Sequence, residues 1–197
     1  MPYDKTMNRS FFDNETLEVA RRLIGYPLIY EGPDGIVSGI ISETEAYTQE
    51  DPACHTYNGR QTKRNTVMFG PPGHLYIYFI YGMYHCLNIV TEREGRGCAV
   101  LIRAVQPLEG IDIMKKNRPK IKKHSELANG PGKLVLAMGI PSSLNEQDLF
   151  AKKSLIYLGA VPYKATEINV ATRVGIAKGS EFPWRFIATR FNNEEVV

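Results

Sequence analysis

The chain has 197 residues, a length that favours one domain (1–197) with a sizeable core. Its 43% hydrophobic and 23% charged residues are ordinary for a soluble globular protein, and no apolar run reaches the roughly 20 residues of a membrane span, so no membrane association is expected. The net charge of +3 and pI near 8.7 permit nucleic-acid binding without demanding it.

Met1-Pro2-Tyr3-Asp4-Lys5 lacks the apolar stretch of a signal peptide, so an intracellular location is expected. Cys54, Cys86 and Cys98 are an odd number without C-x-x-C spacing. They read as free buried thiols rather than a disulfide set or a zinc site.

The spacing of Leu17, Ala20, Leu23 and Ile24 predicts a helix over 15–24, with Asp13 or Asn14 as its cap and Gly25 and Pro27 as stop signals. Leu28 to Tyr30 is a short strand. Gly32-Pro33-Asp34-Gly35 is a turn, so Ile36 to Tyr47 is expected to return antiparallel. Val37, Ile41, Glu43, Glu45 and Tyr47 share one parity in that strand. An apolar face that turns acidic suggests a strand leaving the core for a cleft, or one emerging into water. For Glu43 simple emergence into water or a structural hydrogen-bonding role is preferred, although pattern alone does not separate it from Glu45.

Thr48 to Asn65 is polar and long for a passive connection, and long ordered loops are often functional. It carries Asp51, His55, Arg60, Lys63, Arg64 and Asn65. A zinc site is disfavoured because no second His or Cys lies at ligand spacing. Pro71-Pro72-Gly73 breaks the chain before a strand at Leu75 to Ile80. Gly82 then marks a bend that places Tyr81 at a protruding tip. Four tyrosines (Tyr76, Tyr78, Tyr81 and Tyr84) fall within nine residues, some for the core and some for stacking on flat rings.

Tyr84 to Thr91 is the next strand, with Asn88 in an apolar run that demands hydrogen-bond partners. Cys98 to Val105 follows, with Leu101 and Arg103 on one face. Arg103 must pair with a carboxylate or line a polar site. A short helix is expected over 107–117, then a basic run from Lys115 to Lys123. That run reads either as a solvated loop or as a phosphate-contacting edge. Gly130-Pro131-Gly132-Lys133 opens a helix to about Met138. It is either a tight structural turn or a helix start that, with Lys133, holds one backbone phosphate. Leu155 to Leu158, Ile168 to Ile176 and Trp184 to Ala188 are predicted closing strands. The expected fold is α+β: a curved, mainly antiparallel sheet with peripheral helices.

At these residues the chain resembles the alkyladenine (3-methyladenine) DNA glycosylase family. The matching pieces are Glu43-Thr44-Glu45-Ala46-Tyr47, His55, 59–65, Met68-Phe69, Tyr76 to Asn88, 100–104, 130–134 and Arg185-Phe186, in family order over nearly the whole chain. The resemblance implies a monofunctional base-excision enzyme acting on double-stranded DNA. It would flip a damaged purine out of the duplex and hydrolyse the N-glycosidic bond. By the family pattern Glu45 activates water, and Arg103 positions that water and the backbone. Tyr47, His55 and Tyr78 form the base pocket, Asn88 guards against guanine's exocyclic amine, and Tyr81 is the wedge. The family's sheet is partly open and barrel-like. Arg60, Lys63, Arg64 and Lys133 are the candidate phosphate contacts.

The implied chemistry needs no metal, cofactor or nucleophilic lysine, and a monomer is the default expectation. One departure is visible. The family reads Gly-Pro-Glu-Asp after the pocket tyrosine, whereas this chain reads Thr48-Gln49-Glu50-Asp51 and is one residue shorter, which predicts a reshaped loop around His55. Two rival readings are a non-catalytic nucleic-acid-binding module, which needs no Glu45, and a hydrolase of free nucleosides or a small amidated substrate, which needs no Tyr81.

Overall fold

Strand β2 (Gly35–Tyr47) is the spine of the molecule. It pairs antiparallel with β1 (Pro27–Gly32) through the turn at Pro33-Asp34, with β5 (Ala99–Glu109), and near its end with β9 (Arg185–Ile187). β3 (Leu75–Ile80) and β4 (Tyr84–Val90) form a hairpin that joins the sheet through β4 and β5. The order is β3-β4-β5-β2-β1-β6, with β6 (Ile156–Leu158) at one end and β8 (Asn169–Ala171) attached to β9. The sheet is antiparallel throughout and is not closed, which gives the α+β class and the open curved sheet expected. β7 (Tyr163–Ala165) and β10 (Phe191–Val196) form a separate pair. This computed structural model describes residues 7–196; Met1 to Lys5, read for a signal peptide, lie outside the described residues.

Strand alternation sorts the side chains onto two faces. Leu75, Ile77, Leu87, Ile89, Val100 and Ile102 enter the main core. Val19 and Ala20 of α1 (Thr16–Arg22) and Leu134, Val135 and Met138 of α3 (Pro131–Met138) meet them there. Full burial of a side chain such as Leu87 contributes about 1.5–3 kcal/mol. On the opposite face Tyr76, Val90 and Ala99 form a second cluster with Cys54 and Met68, against which Tyr47 and Tyr78 pack.

One irregularity positions the site. In the β2–β5 ladder the register shifts between Ile41 and Glu43 and shifts back between Glu43 and Thr44, opposite Arg103. Such bulges re-aim side chains. Before the shift Val37 and Ile41 face the main core; after it Ala46 does. Thr44 turns inward as well and donates to the Ala20 carbonyl at 2.7 Å. The single parity read from 37 to 47 is therefore broken at Ser42, and Glu43, Glu45 and Tyr47 emerge on the second face. A strand leaving the core explains this better than one entering water, because Glu45 is fully buried.

Several boundaries differ from expectation. Neither Asp13 nor Asn14 caps α1; its N-cap is Glu15 without a side-chain bond, and the Asn14 amide donates instead to the Ser10 and Phe11 carbonyls. Thr16 finds its partner across the fold, its hydroxyl donating to Glu92 at 2.6 Å. Pro107 belongs to β5, and the helix begins only after Gly110 (φ +69°), as α2 (Ile111–Asn117). Within the predicted strand 168–176 only Asn169–Ala171 is extended in the sheet, because Arg173 turns into the interior. β7 and β10 were not expected at all. No helix among the described residues is long and apolar enough to cross a membrane.

Candidate active site

The centre of the site is a carboxylate with no exposed surface. Glu45 Oε1 accepts the Val174 backbone N–H at 2.8 Å and faces Arg103 Nη1 at 3.2 Å; Oε2 accepts the Tyr47 hydroxyl at 2.7 Å. A carboxylate offers about four lone-pair sites, so these three partners leave room for one more. Burial first, then the Glu45 charge, pushes the Tyr47 phenol far above its ordinary range, which keeps it a donor to that carboxylate.

Arg103 bridges two carboxylates. Its Nε donates to Glu43 Oε1 at 3.0 Å, and Arg185 Nη1 donates to the same oxygen at 2.9 Å. Burial works against the Arg103 charge, but Glu45 and Glu43 outweigh it and raise the pKa further. The awkward charge in the β5 pattern is thus paired, and of the two readings for Glu43 the structure favours the hydrogen-bonding role over emergence into water.

Above this floor lies a cleft of about 470 Å³ lined by Tyr47, His55, Tyr78, Tyr81, Arg103 and Lys133 among others. It narrows to a recess walled by Tyr47, His55, Tyr76, Tyr78 and Asn88. Asn88 holds its position by donating Nδ2 to the Tyr76 carbonyl at 3.0 Å, which answers the demand its apolar strand posed. His55 Nδ1 and the Tyr76 hydroxyl lie 2.9 Å apart, and the imidazole meets the Tyr78 ring edge-on with centroids 4.7 Å apart. All four predicted pocket residues therefore line one recess, together with Tyr76. The loop that carries His55 is tied on its far side: buried Asn65 donates to the His55 and Arg60 carbonyls at 2.9 and 3.0 Å.

Desolvation first, then the Arg64 guanidinium, holds the His55 pKa below its usual value of about 6.5. As the pH falls the unfolded chain takes up this proton first. The stability contribution of the neutral ring is complete above about pH 6.5 and is lost as the pH drops through the lower folded value. The thermal midpoint of the wild type is therefore expected to fall more between pH 7 and pH 5 than that of His55→Gln, measured by calorimetry. Equal falls would deny the ring that contribution.

Tyr81 stands at the tip of the β3–β4 hairpin, 74% exposed. Tyr81 and Gly82 both have positive φ (+53° and +68°), and the Met83 N–H returns to the Ile80 carbonyl, as in a primed hairpin turn. Phe79 and Met83 are also exposed there. The glycine-rich start of α3 packs beside this hairpin: a Cβ on Gly132 would come within 2.8 Å of the Tyr84 Cβ. The motif opens α3, with an extended Gly130 as its cap and Pro131 in its first turn, and brings Lys133 to the cleft.

Arg60 and Arg64 line a second cavity of about 550 Å³ that shares His55 and Tyr76 with the recess, and Lys178 joins them. Arg64 donates to the Phe79 carbonyl at 2.9 Å and lies 5.1 Å from the Tyr78 ring centroid. Lys63 is exposed on the same loop. No residue of 115–123 lines the cleft. Within that run Lys116 pairs with Asp34 at 3.2 Å and Lys123 with Glu126 at 3.6 Å, the behaviour of a solvated face. Cys54, Cys86 and Cys98 are free and buried. Among the described residues no group of three or more His, Cys, Asp or Glu gathers to hold a metal.

Sequence reasoning missed three parts of the site. Tyr76 is a partner of His55, the Val174 N–H is a partner of Glu45, and a fully buried Asp51–Arg173 pair lies beneath Tyr47. Tyr76 sat among the four tyrosines without being singled out, Asp51 in the long loop and Arg173 in a predicted strand. No local pattern links them.

Fold and site define an α+β protein built on one large antiparallel sheet, with a buried carboxylate hydrogen-bonded to a tyrosine of an aromatic recess and a tyrosine-tipped hairpin at the cleft. Residues 10–192 match the family described as methylpurine-DNA glycosylase, and the chain belongs to that family, a group of DNA glycosylase hydrolases. The chain is 50% identical over 182 residues to a protein of Methanocella arvoryzae, covering 90% of each. It is 48% identical over 178 residues to one of Carboxydothermus hydrogenoformans, covering 90% of this chain and 92% of the relative. It is 46% identical over 165 residues to one of Rubrobacter xylanophilus, covering 84% of each. All three are provisionally named 3-methyladenine DNA glycosylase.

Proposed function

We propose that the chain is one monofunctional DNA glycosylase domain that removes damaged purines, 3-methyladenine among them, from double-stranded DNA. The observation that carries this reading is the setting of Glu45. A carboxylate shielded from solvent, aimed by a backbone N–H, an arginine and a tyrosine that itself walls a recess of flat rings, is suited to work on water beside a purine. The family match and the names of the relatives support it.

On this reading the enzyme binds duplex DNA as a monomer, and the Tyr81 ring fills the gap left when the damaged nucleotide rotates out. Flipping costs a few kcal/mol, least at damaged pairs, and stacking on Tyr47 and Tyr78 recovers about 1–3 kcal/mol. Asn88 crowds the purine edge and His55 closes the recess. Alkylation at N3 or N7 makes the purine a cation and hence a good leaving group. As the N-glycosidic bond breaks, the base departs with the bonding pair. Glu45 takes the proton of a water held with Arg103, and the oxygen of that water bonds to the sugar carbon. Arg60, Lys63, Arg64 and Lys133 meet backbone phosphates. No protein amine enters the reaction, so no Schiff base forms and no strand is cut. The substrate is genomic DNA, and the protein is therefore intracellular.

The test is release of free base from methylated DNA and from duplexes carrying one hypoxanthine or one ethenoadenine. Free purine, an alkali-labile abasic site and no borohydride-trapped adduct are expected. Duplex affinity should fall steeply with salt, as counterion release requires. Salt-sensitive binding with no release from any substrate would leave a non-catalytic binding module. Release from free nucleosides, indifferent to salt, would indicate a small-molecule hydrolase.

A further inference from the structure

Beneath the recess, the buried Arg173 ties together parts of the site that come from four stretches of chain. Its guanidinium pairs with both oxygens of Asp51, on the loop that leads to His55. Nη1 also donates to the Ala46 carbonyl at 2.9 Å, between Glu45 and Tyr47. Nη2 donates to the Gly179 carbonyl at 3.0 Å. Its Cζ lies over two rings, 4.7 Å from the Tyr47 centroid and 5.0 Å from that of Trp184, which in turn stacks on Phe182 at 4.6 Å. The next residue, Val174, supplies the N–H that aims Glu45.

We infer that Arg173, held by Asp51 and Trp184, is a positioning residue for base excision that sets the Tyr47 ring and the Glu45 carboxylate relative to each other. Tyr47 lines the cleft and Arg173 does not, so the guanidinium backs the ring from below. Removing two charges from water costs several kcal/mol per ion, and a buried pair is weak grounds for a purely stabilising role. What this pair does supply is a rigid, planar anchor with donors fixed in direction. A lysine in its place keeps the charge for Asp51 but loses the plane against Tyr47 and the simultaneous hold on Ala46 and Gly179. Small misplacements of reacting groups are costly to rate, which is the effect at issue.

The inference rests on the proposed glycosylase reading, and the experiment separates the two. Wild type, Arg173→Lys and Trp184→Leu are compared on a duplex with one ethenoadenine, at a temperature where circular dichroism shows each variant folded. Trp184→Leu leaves the buried pair intact and guards against loss of fold. Arg173→Lys is expected to slow single-turnover excision by ~10- to 100-fold, and Trp184→Leu by less. Binding to a duplex carrying a tetrahydrofuran abasic analogue, which has no base to stack, should stay within about twofold of wild type because phosphates supply most of that affinity. The change in ethenoadenine emission on transfer into the recess should shrink in both variants. Unchanged excision per folded molecule, or a loss matched by equal loss of abasic-duplex binding, would make the pair merely structural. A wild type that binds but excises nothing would remove the glycosylase reading, and this inference with it.

Discussion

Replacing Glu45 with Gln is expected to slow base release by ~10²- to 10⁴-fold, the usual contribution of one positioned base. The substitution keeps size and shape. The Gln carbonyl still accepts from Tyr47 or from the Val174 N–H, so the recess should keep its walls. What is lost is an acceptor able to take a proton from water. Arg103 loses one of its two carboxylates but keeps Glu43. Folding should survive with a stability loss of about 1–3 kcal/mol, typical when a hydrogen bond to a charged group is weakened. Single-turnover release from a hypoxanthine duplex gives the rate, and titration of an abasic-analogue duplex gives the binding. Retained binding with lost release assigns Glu45 to the chemistry. Parallel loss of both would instead mean that Glu45 holds the DNA-binding surface together. Full activity in Glu45→Gln would remove the carboxylate from the mechanism.

Changing Tyr81 to Gly is expected to move stability and function in opposite directions. The tyrosine sits at φ +53°, a left-handed conformation that costs roughly 1–2 kcal/mol for an L side chain and nothing for glycine. Its ring is exposed and gives little packing in return. Glycine spends more chain entropy on folding, which offsets part of the gain. The net expectation is unchanged stability or a gain of up to about 1 kcal/mol, which for a chain of this size raises the thermal midpoint by roughly 2–4 °C. Excision from a fully paired duplex should fall by ~10- to 100-fold, because nothing then fills the gap left by the flipped nucleotide. Excision from single-stranded DNA, which has no stack to reopen, should fall much less. Strain held at one exposed residue points to a use for it. A less stable Tyr81→Gly protein, or equal losses on both substrates, would deny the wedge role.

Much of the sheet was legible in the sequence because strands announce themselves through period two and through Gly and Pro at turns. β2, β3, β4 and β5 fell near the predicted places, and the Tyr81-Gly82 tip was readable from a glycine between two apolar runs. Of the closing strands, Leu155 to Leu158 and Trp184 to Ala188 fell on β6 and β9, whereas 168–176 was drawn too long and β7 and β10 were missed. Segments of three residues such as Tyr163–Ala165 carry too little pattern to stand out, and pairing with a distant partner decides them. The same holds for the cap of α1, where Glu92, remote in the chain, serves Thr16 in place of a local side chain.

By itself the sequence determined the class of fold, the cluster of tyrosines, the presence of Glu45 and Arg103 in strands, and the family resemblance that gave them meaning. These are properties of spacing and residue type, and spacing is local. Only the tertiary structure decided that Glu45 is buried and Glu43 is tied to two arginines. It also decided that a register shift turns both onto the pocket face, and that Asp51 and Arg173 meet beneath Tyr47. The physical reason is that each of these rests on pairing across more than forty residues of chain. An irregular residue within a strand inverts the side chains after it, even when the ladder regains its register, and no repeat in the sequence records where it falls.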